Sequence, residues 1–376
     1  MKYFRSRFNS AFTLLKSYNY PEPFALHSRA FFKANKKFGS KDRKAILELC
    51  YAYFRCGISL VNYKLEEGLL LSALQVDFTD TQYWQKHCTE LGYNYKLPES
   101  FFEETNKAKR IRTFLDADLS FYPSNFVQTK FSHYNLSGNI EFRPKNWVKD
   151  HTDSEKRHLG LIGCKTIDFN ANLDDNIQVQ DLSSQFICSK LELESHYKVW
   201  DVCSGSGGKS INLLYGDKGD FYLSDVRPGI LSNAKKRLQT MLYKAKLACI
   251  DLTKIHQSLE FESEQIIKEG FDVIIADVPC TGSGTWFRTP EHFMCFEYEA
   301  LDKFVDRQKL IVRNSLPFLK KGGVFYYITC SIFTAENEEM KNWFEESFNV
   351  SVNEEIFFDG IKQKSDAMYM VSFTKS

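Results

Sequence analysis

Two cysteines stand where apolar, β-branched runs end. Phe271 to Ile275 leads into Ala276-Asp277-Val278-Pro279-Cys280-Thr281-Gly282-Ser283-Gly284-Thr285, and Val324 to Ile328 leads into Tyr327-Ile328-Thr329-Cys330-Ser331, with Glu336-Asn337-Glu338 beyond. In an open α/β sheet the ligand crevice lies at the carboxyl ends of the strands. Both thiols are therefore expected to face one crevice. A single cysteine is most often a small inert hydrophobe in a core. Two at adjacent strand ends, each followed by a loop, fit that reading poorly. Methylation of a pyrimidine at C5 is a chemistry that calls for this pair. C5 is a poor nucleophile in the aromatic ring, and a thiolate adding to C6 makes it enamine-like and able to attack a sulfonium methyl. A base then removes the C5 proton and the thiol leaves. Asp277 is placed to hold the exocyclic amine or N3 of cytosine and to stabilise the adduct.

A glycine-rich turn supplies the second element. The run Lys198 to Val202 opens into Asp201-Val202-Cys203-Ser204-Gly205-Ser206-Gly207-Gly208-Lys209-Ser210, and a helical pattern follows. Glycines let a ligand approach the backbone, and a helix start offers unpaired N–H groups. A plain strand-to-helix turn is the competing explanation. A phosphate loop would need glycine where Cys203 stands, and the dinucleotide fingerprint fails where Ser210 replaces its third glycine. Asp225 lies twenty residues after Gly205, where a carboxylate can accept from the two hydroxyls of a ribose. It supports an adenosine ligand without choosing between NAD and S-adenosylmethionine. Asp251, past the next strand, faces an adenine edge or caps a helix. Lys209 sits in a first helical turn, where the dipole disfavours a cation, and is expected to offset a ligand carboxylate.

These residues need a sheet to position them. Strands are expected over Lys198–Val202, Asp220–Leu223, Leu247–Ile250, Phe271–Ile275 and Val324–Ile328, with helices such as Gly229–Tyr243 and Leu301–Leu319 between them. From about 120 to 195 short strands are expected at Ile140–Pro144, Thr166–Phe169 and Ile177–Gln180. Residues 1 to about 120 read as helical: Phe8, Phe12 and Leu15 recur at helical spacing, as do Ala45, Leu49, Ala52 and Tyr53, and Ser40 is the expected N-cap of the helix from Lys41. Amphipathic segments follow around Leu60–Leu74 and Thr81–Leu91.

The chain has 376 residues, 43% hydrophobic, 26% charged and 15% aromatic. That suffices for two or three domains and excludes a disordered, collagen-like or disulfide-stapled chain. No apolar run approaches a membrane span or a signal peptide, so a soluble cytoplasmic protein is expected. The ten cysteines are scattered, with no C-x-x-C pair, which fits neither a zinc site nor a secreted disulfide framework. No metal is expected. The net charge is +1, but the first 60 residues carry twelve Lys and Arg against three acids, or +9. Such a front suits phosphate contacts with a nucleic acid, and equally a solvated helical surface.

The motifs together resemble the Sun/Nop-type RNA cytosine-5 methyltransferases. The resemblance rests on Asp201-x-Cys203-x-x-x-Gly207-Gly208-Lys209, Asp277-Val278-Pro279-Cys280, Thr329-Cys330-Ser331 and Glu336-Asn337-Glu338. Val179-Gln180-Asp181-Leu182-Ser183-Ser184-Gln185 and Arg288-Thr289-Pro290-Glu291 are also similar to family segments, and the likeness runs over about residues 125–376. It implies a Rossmann-type class I methyltransferase domain (196–376) that uses S-adenosylmethionine, preceded by a small RRM-like α+β subdomain (121–195). It implies Cys330 as nucleophile and Cys280 in the release step. It places the cofactor on Cys203, Ser204, Gly205, Ser206, Gly207, Gly208 and Lys209, with Asp225, Asp251 and Asp277. DNA cytosine methyltransferases carry their nucleophile in a Pro-Cys motif instead, and Thr329-Cys330-Ser331 decides for the RNA family. One departure is visible: Ser204-Gly205-Ser206 replaces the usual Ala-Ala-Pro, which predicts a more flexible loop and weaker cofactor binding.

Gly39-Ser40-Lys41-Asp42-Arg43-Lys44, leading to Leu47-x-x-Cys50-Tyr51-x-Tyr53-x-Arg55, resembles the NusB-type helical RNA-binding domain fused to bacterial members. With the charge count it favours a structured RNA, ribosomal first and transfer RNA second, contacted by Lys41, Arg43 and Arg55. A monomer is expected. Two other readings compete. An RNA-binding assembly factor without turnover leaves Cys280, Cys330 and Asp277 unexplained, and a nicotinamide-dependent oxidoreductase explains only Asp225.

Overall fold

The structure is a computed structural model of the whole chain. It describes residues 3–60, 63–76, 81–93, 147–150, 164–166, 177–214, 219–262, 264–286, 288–360 and 365–376. The backbone gathers into two compact units, Met1–Phe142 with Trp286–Glu297, and Arg143–Thr285 with Tyr298–Ser376.

The first unit is helical. Among the described residues its helices include α1 (Phe4–Lys16), α2 (Phe24–Ala34), α3 (Ser40–Cys56), α4 (Leu65–Ser72) and α5 (Thr81–Glu90), with a short helix over Pro290–Met294. The apolar spacing read from the sequence lies on their inner faces. Phe8, Leu14, Leu49, Leu70 and Trp84 form one core, and the Trp84 indole N–H donates to the Leu70 carbonyl at 2.6 Å. Helix α3 starts one residue earlier than expected. Gly39 is the N-cap, and no side chain caps the helix. Ser40 is its first helical residue rather than the cap. Segment 286–297, which carries Arg288-Thr289-Pro290-Glu291, belongs to this unit. Glu291 is buried, and its carboxyl accepts the Phe24 N–H at the start of α2.

The second unit holds two sheets and a hairpin. A small antiparallel sheet consists of β1 (Trp147–Asp150), β2 (Cys164–Thr166) and β3 (Ile177–Val179), in the order β2-β1-β3. The strand expected at 140–144 lies outside the described residues, as do residues 167–169 of the next. Helix α6 (Leu182–Ser189) then leads into β4 (Lys198–Asp201), α7 (Gly208–Leu213), β5 (Asp220–Asp225), α8 (Pro228–Thr240) and β6 (Lys246–Cys249). A hairpin, β7 (Ser258–Phe261) and β8 (Glu264–Ile267), precedes β9 (Phe271–Asp277), α9 (Ala300–Ser315), β10 (Leu319–Thr329), α10 (Glu338–Ser347), β11 (Val350–Phe358) and β12 (Met368–Lys375).

The large sheet runs β11-β12-β10-β9-β4-β5-β6. Its five strands β10, β9, β4, β5 and β6 are parallel, and β12 pairs antiparallel with both β10 and β11. Parallel strands covered on both faces read as continuous apolar runs, which is why Val273-Ile274-Ile275-Ala276 was legible as a strand. Two cores result, one on each face. Trp200, Ile274, Phe271 and Tyr327 lie in one, and Val199, Leu223, Val273 and Ile328 in the other. The connection order reverses between β4 and β9, the switch point beside which such sheets bind ligands. All five expected strands and both expected helices are present. The hairpin and the antiparallel pair β11–β12 were not anticipated.

Candidate active site

The glycine turn follows β4 at this switch point. Gly205 and Gly207 take φ of +55° and +76°, values that favour glycine. The Gly205 N–H donates to Asp225 Oδ2 at 3.0 Å. Asp225 closes β5 and also accepts the Arg227 backbone N–H at 2.9 Å and two guanidinium N–H groups at 2.9 and 3.0 Å. Burial would raise its carboxyl, but the Arg227 bonds and the Gly205 amide outweigh it and hold the group below its ordinary value. Arg227 itself is 63% exposed at its side chain.

The Ser204-Gly205-Ser206 turn is tied down by side-chain and backbone hydrogen bonds. The Ser206 carbonyl and Oγ accept from Arg237 Nη1 at 2.7 and 2.9 Å, and the Ser204 N–H donates to the Ser224 carbonyl at 2.9 Å. Tethers stand where the family pattern has a proline. A further tie comes from the segment before the loop. Gln180 Nε2 donates to the Gly208 carbonyl at 3.1 Å, and Asn212 Nδ2 donates to Gln180 Oε1 at 2.6 Å. Asp181 caps α6 and accepts from Ser365 Oγ at 2.6 Å and the Asp366 N–H at 3.1 Å. Neither Gln180 nor Arg237 was assigned a role from sequence. Gln180 lay in a quoted motif, whereas Arg237 gave no signal beyond its place on a helix.

A cleft of about 770 Å³ opens here, lined by Cys203, Ser204, Gly205, Ser206, Gly208, Lys209, Asp225, Asp251, Asp277 and Pro279 among others. The volume is that of a site for a cofactor-sized molecule. Ile250 and Leu252 give it apolar lining, and Asp225 and the glycine loop give it polar lining. This donor set fits the adenosine and amino-acid ends of S-adenosylmethionine. Asp251 reaches the cleft, but its Oδ1 accepts from the Thr253 N–H at 3.1 Å and the Thr253 hydroxyl at 2.6 Å, the bonds of a local turn. Lys209 is mostly buried, and its Nζ donates to Asp277 Oδ2 at 2.5 Å. Burial alone would lower its pKa, but the Asp277 charge and hydrogen bond raise it. The partner the structure gives Lys209 is thus Asp277.

The two cysteines meet. Cys280 Sγ and Cys330 Sγ are 3.4 Å apart, beyond the ends of β9 and β10. The S–H contact with Cys330, reinforced by burial, pushes the Cys280 thiol well above its ordinary value. Either sulfur can be the donor across this contact. The neighbouring Lys209 ammonium interacts electrostatically with Cys330. Lys209 and Asp277 line the cleft, as does Pro279, the residue before Cys280. Lys41 and Arg43, on α3 of the helical unit, are exposed, and Arg55 is half-buried. Among the described residues, no group of three or more His, Cys, Asp or Glu could hold a metal, and no helix is long and apolar enough to cross a membrane.

Strand order, glycine turn and cleft define a Rossmann-type methyltransferase fold. Residues 188–373 match the family of the 16S rRNA methyltransferases RsmB/F. Mouse tRNA (cytosine(72)-C(5))-methyltransferase NSUN6 is 30% identical over 188 residues, covering 46% of this chain and 38% of that protein. The probable ribosomal RNA small subunit methyltransferase B of Bacillus subtilis is 30% identical over 169 residues, covering 44% of this chain and 36% of that protein. The matched part thus spans little more than a third of either relative. The crystal structure of PH0851 superposes with a TM-score of 0.64 at 16% identity, covering 99% of this chain and 98% of that one. A methyltransferase homolog protein from Pyrococcus horikoshii gives 0.51 at 16% identity, over 74% and 100%. Both are likenesses of fold.

Proposed function

We propose that the protein methylates C5 of cytosine in RNA, with small-subunit ribosomal RNA as its substrate and transfer RNA as the second choice. The observation that carries this reading is the pair of thiols 3.4 Å apart beside the glycine-loop cleft. The family match and the named activities of the relatives support it. S-adenosylmethionine, held by the glycine loop and Asp225, supplies an electrophilic methyl group. Cys330 as thiolate adds to C6 and forms a carbon–sulfur bond, while Asp277 holds the amine or N3 edge of the ring. The electron pair gained by the ring is delivered through C5, which takes the methyl group. The pair of the broken S–CH3 bond stays on sulfur, giving S-adenosylhomocysteine; a base then takes the C5 proton, whose C–H pair re-forms the C5–C6 double bond as Cys330 leaves with the pair of the C–S bond. In this reading Cys280, in contact with Cys330, serves that release.

In this reading the helical front (1–120) and the small subdomain (121–195) handle the RNA, with Lys41, Arg43 and Arg55 on phosphates. The direct test is incubation with methyl-labelled S-adenosylmethionine and total cellular RNA, followed by nucleoside analysis. Label in 5-methylcytidine is expected. Label in another nucleoside, or none, refutes the reading.

A further inference from the structure

Beneath the two thiols lies a fully buried polar layer that the reaction scheme does not use. Glu336, Asn337, Gln308, Ser283 and Ser331 are all completely buried. Their bonds fall into two sets, joined where the Ser331 hydroxyl meets those of Thr281 and Ser283 at 3.3 and 3.1 Å. Glu336 Oε1 accepts the Thr281 backbone N–H at 2.9 Å, and Oε2 accepts the Thr281 hydroxyl at 2.6 Å. Gln308 Nε2 donates to the Pro279 carbonyl at 3.0 Å and to Glu336 Oε1 at 2.9 Å, while the Tyr327 hydroxyl donates to Gln308 Oε1 at 3.0 Å. Pro279 and Thr281 are the two neighbours of Cys280 in the chain. The peptide groups on either side of that cysteine are therefore gripped by one Glu–Gln pair.

Asn337 does the same for the other thiol. Its Nδ2 donates to the Ser331 carbonyl at 3.0 Å, and its Oδ1 accepts the Thr329 hydroxyl at 2.6 Å. Thr329 and Ser331 flank Cys330. Two consecutive residues thus each hold the flanks of a different cysteine. No buried carboxylate or amide is needed there for packing, and an apolar layer would avoid the desolvation cost.

We propose that the Glu336–Asn337 dipeptide, with Gln308, is a positioning device that sets the Cys280–Cys330 separation, Glu336 placing Cys280 and Asn337 placing Cys330. None of the three touches the reacting atoms. This extends the reaction proposed above, so the test has one arm independent of it and one that depends on it.

The independent arm is cross-linking of the full chain by oxidised glutathione, scored by peptide mapping for a Cys280–Cys330 disulfide. Each cross-link consumes one oxidised glutathione and yields two reduced ones. The sulfurs must close from 3.4 Å to bonding distance, so the rate reports how well both loops are held. Glu336→Ala and Asn337→Ala should each slow it about tenfold, and Glu336→Gln, which keeps an acceptor for Thr281, should restore it. Should Glu336→Ala not fold, Gln308→Ala loosens the same grip and carries the prediction. Unchanged cross-linking in Asn337→Ala and in whichever Cys280-side variant folds overturns the proposal.

The second arm uses the covalent RNA adduct on a denaturing gel, with Cys280→Ala as reference. Glu336→Ala should accumulate adduct, because release is impaired, and Asn337→Ala added to Cys280→Ala should abolish the reference band, because attack is impaired. A general loss of structure would move both the same way, and that outcome also overturns the assignment. If the Cys280→Ala reference shows no adduct, the reaction reading has failed and the cross-linking arm alone decides the positioning role.

Discussion

Gly284 sits where the two cysteine loops cross. Its N–H donates to the Cys330 carbonyl at 2.9 Å, and its own carbonyl accepts the Ala367 N–H at 3.1 Å. A Cβ added there would lie 2.4 Å from the Ala367 carbonyl oxygen and 2.8 Å from that of Cys330. Both obstacles are backbone, so no side chain can swing aside. Gly284→Ala must push the Cys330 peptide or the start of β12 away by roughly 0.5–1 Å to reach ordinary contact distance. Overpacking of this kind costs about 1–3 kcal/mol, and loosening two buried hydrogen bonds adds about 1 kcal/mol each. Taken together, about 3–5 kcal/mol lowers the melting temperature by about 10 °C for a unit of this size. A shift of the nucleophile by that distance lowers kcat about 100-fold. Thermal unfolding and single-turnover methyl transfer read the two effects separately. Gly229→Ala, which meets nothing within 4 Å on the first turn of α8, is the control and should be neutral or slightly stabilising. A Gly284→Ala protein that melts and turns over like wild type refutes the placement of these loops.

Further consequences follow for charge and binding. Asp201 is fully buried, and burial raises its carboxyl from 3.8 to about 7. Its contribution to stability is present below pH 4 and is lost as pH rises towards 7, about 4 kcal/mol in all. The stability difference between Asp201→Asn and wild type should therefore grow by that amount from pH 4 to pH 8, and parallel curves contradict it. Lys209→Met leaves Asp277 without its ion-pair partner. Because Asp277 keeps 31% of its side chain exposed, the cost should be about 2 kcal/mol, below the 3–5 kcal/mol of a sealed pair, and adding Asp277→Asn should recover part of it in chemical denaturation. Charge reversal of Lys41 and Arg43 should reduce the slope of RNA affinity against salt by about 0.7 to 0.9 per lost phosphate contact. An unchanged slope removes them from the interface.

The central sheet was readable because a parallel strand buried on both faces is a run of β-branched and aromatic residues, as in Phe271 to Ile275. The glycine turn, Asp225 and the two cysteines were readable because each is a rare residue type at a strand end. Strands β11 and β12 were missed for a physical reason. β11 is Val-Ser-Val-Asn-Glu-Glu-Ile-Phe-Phe, a partly exposed edge strand with no sustained apolar run, and its pairing with β12 is a tertiary fact. Gln308 gave no local sign, since a buried amide on a helix looks like any surface glutamine until Pro279, Tyr327 and Glu336 are seen around it. Glu336 and Asn337 stood in a recognised motif, but only the folded loops show which cysteine each one grips. The affiliation of 286–297 with the helical unit likewise depends on contacts distant in sequence, such as the edge-on packing of Tyr20 against His292.

The account turns on Cys330 as nucleophile and Cys280 as the residue needed for release. The measurement that tests it most directly is a denaturing gel of Cys280→Ala protein incubated with S-adenosylmethionine and total cellular RNA. The account predicts a stalled covalent RNA–protein band that disappears when Cys330→Ala is added, and sequencing of the trapped RNA would give the target. No band, with wild type still methylating cytosine, contradicts the assigned roles of the two thiols.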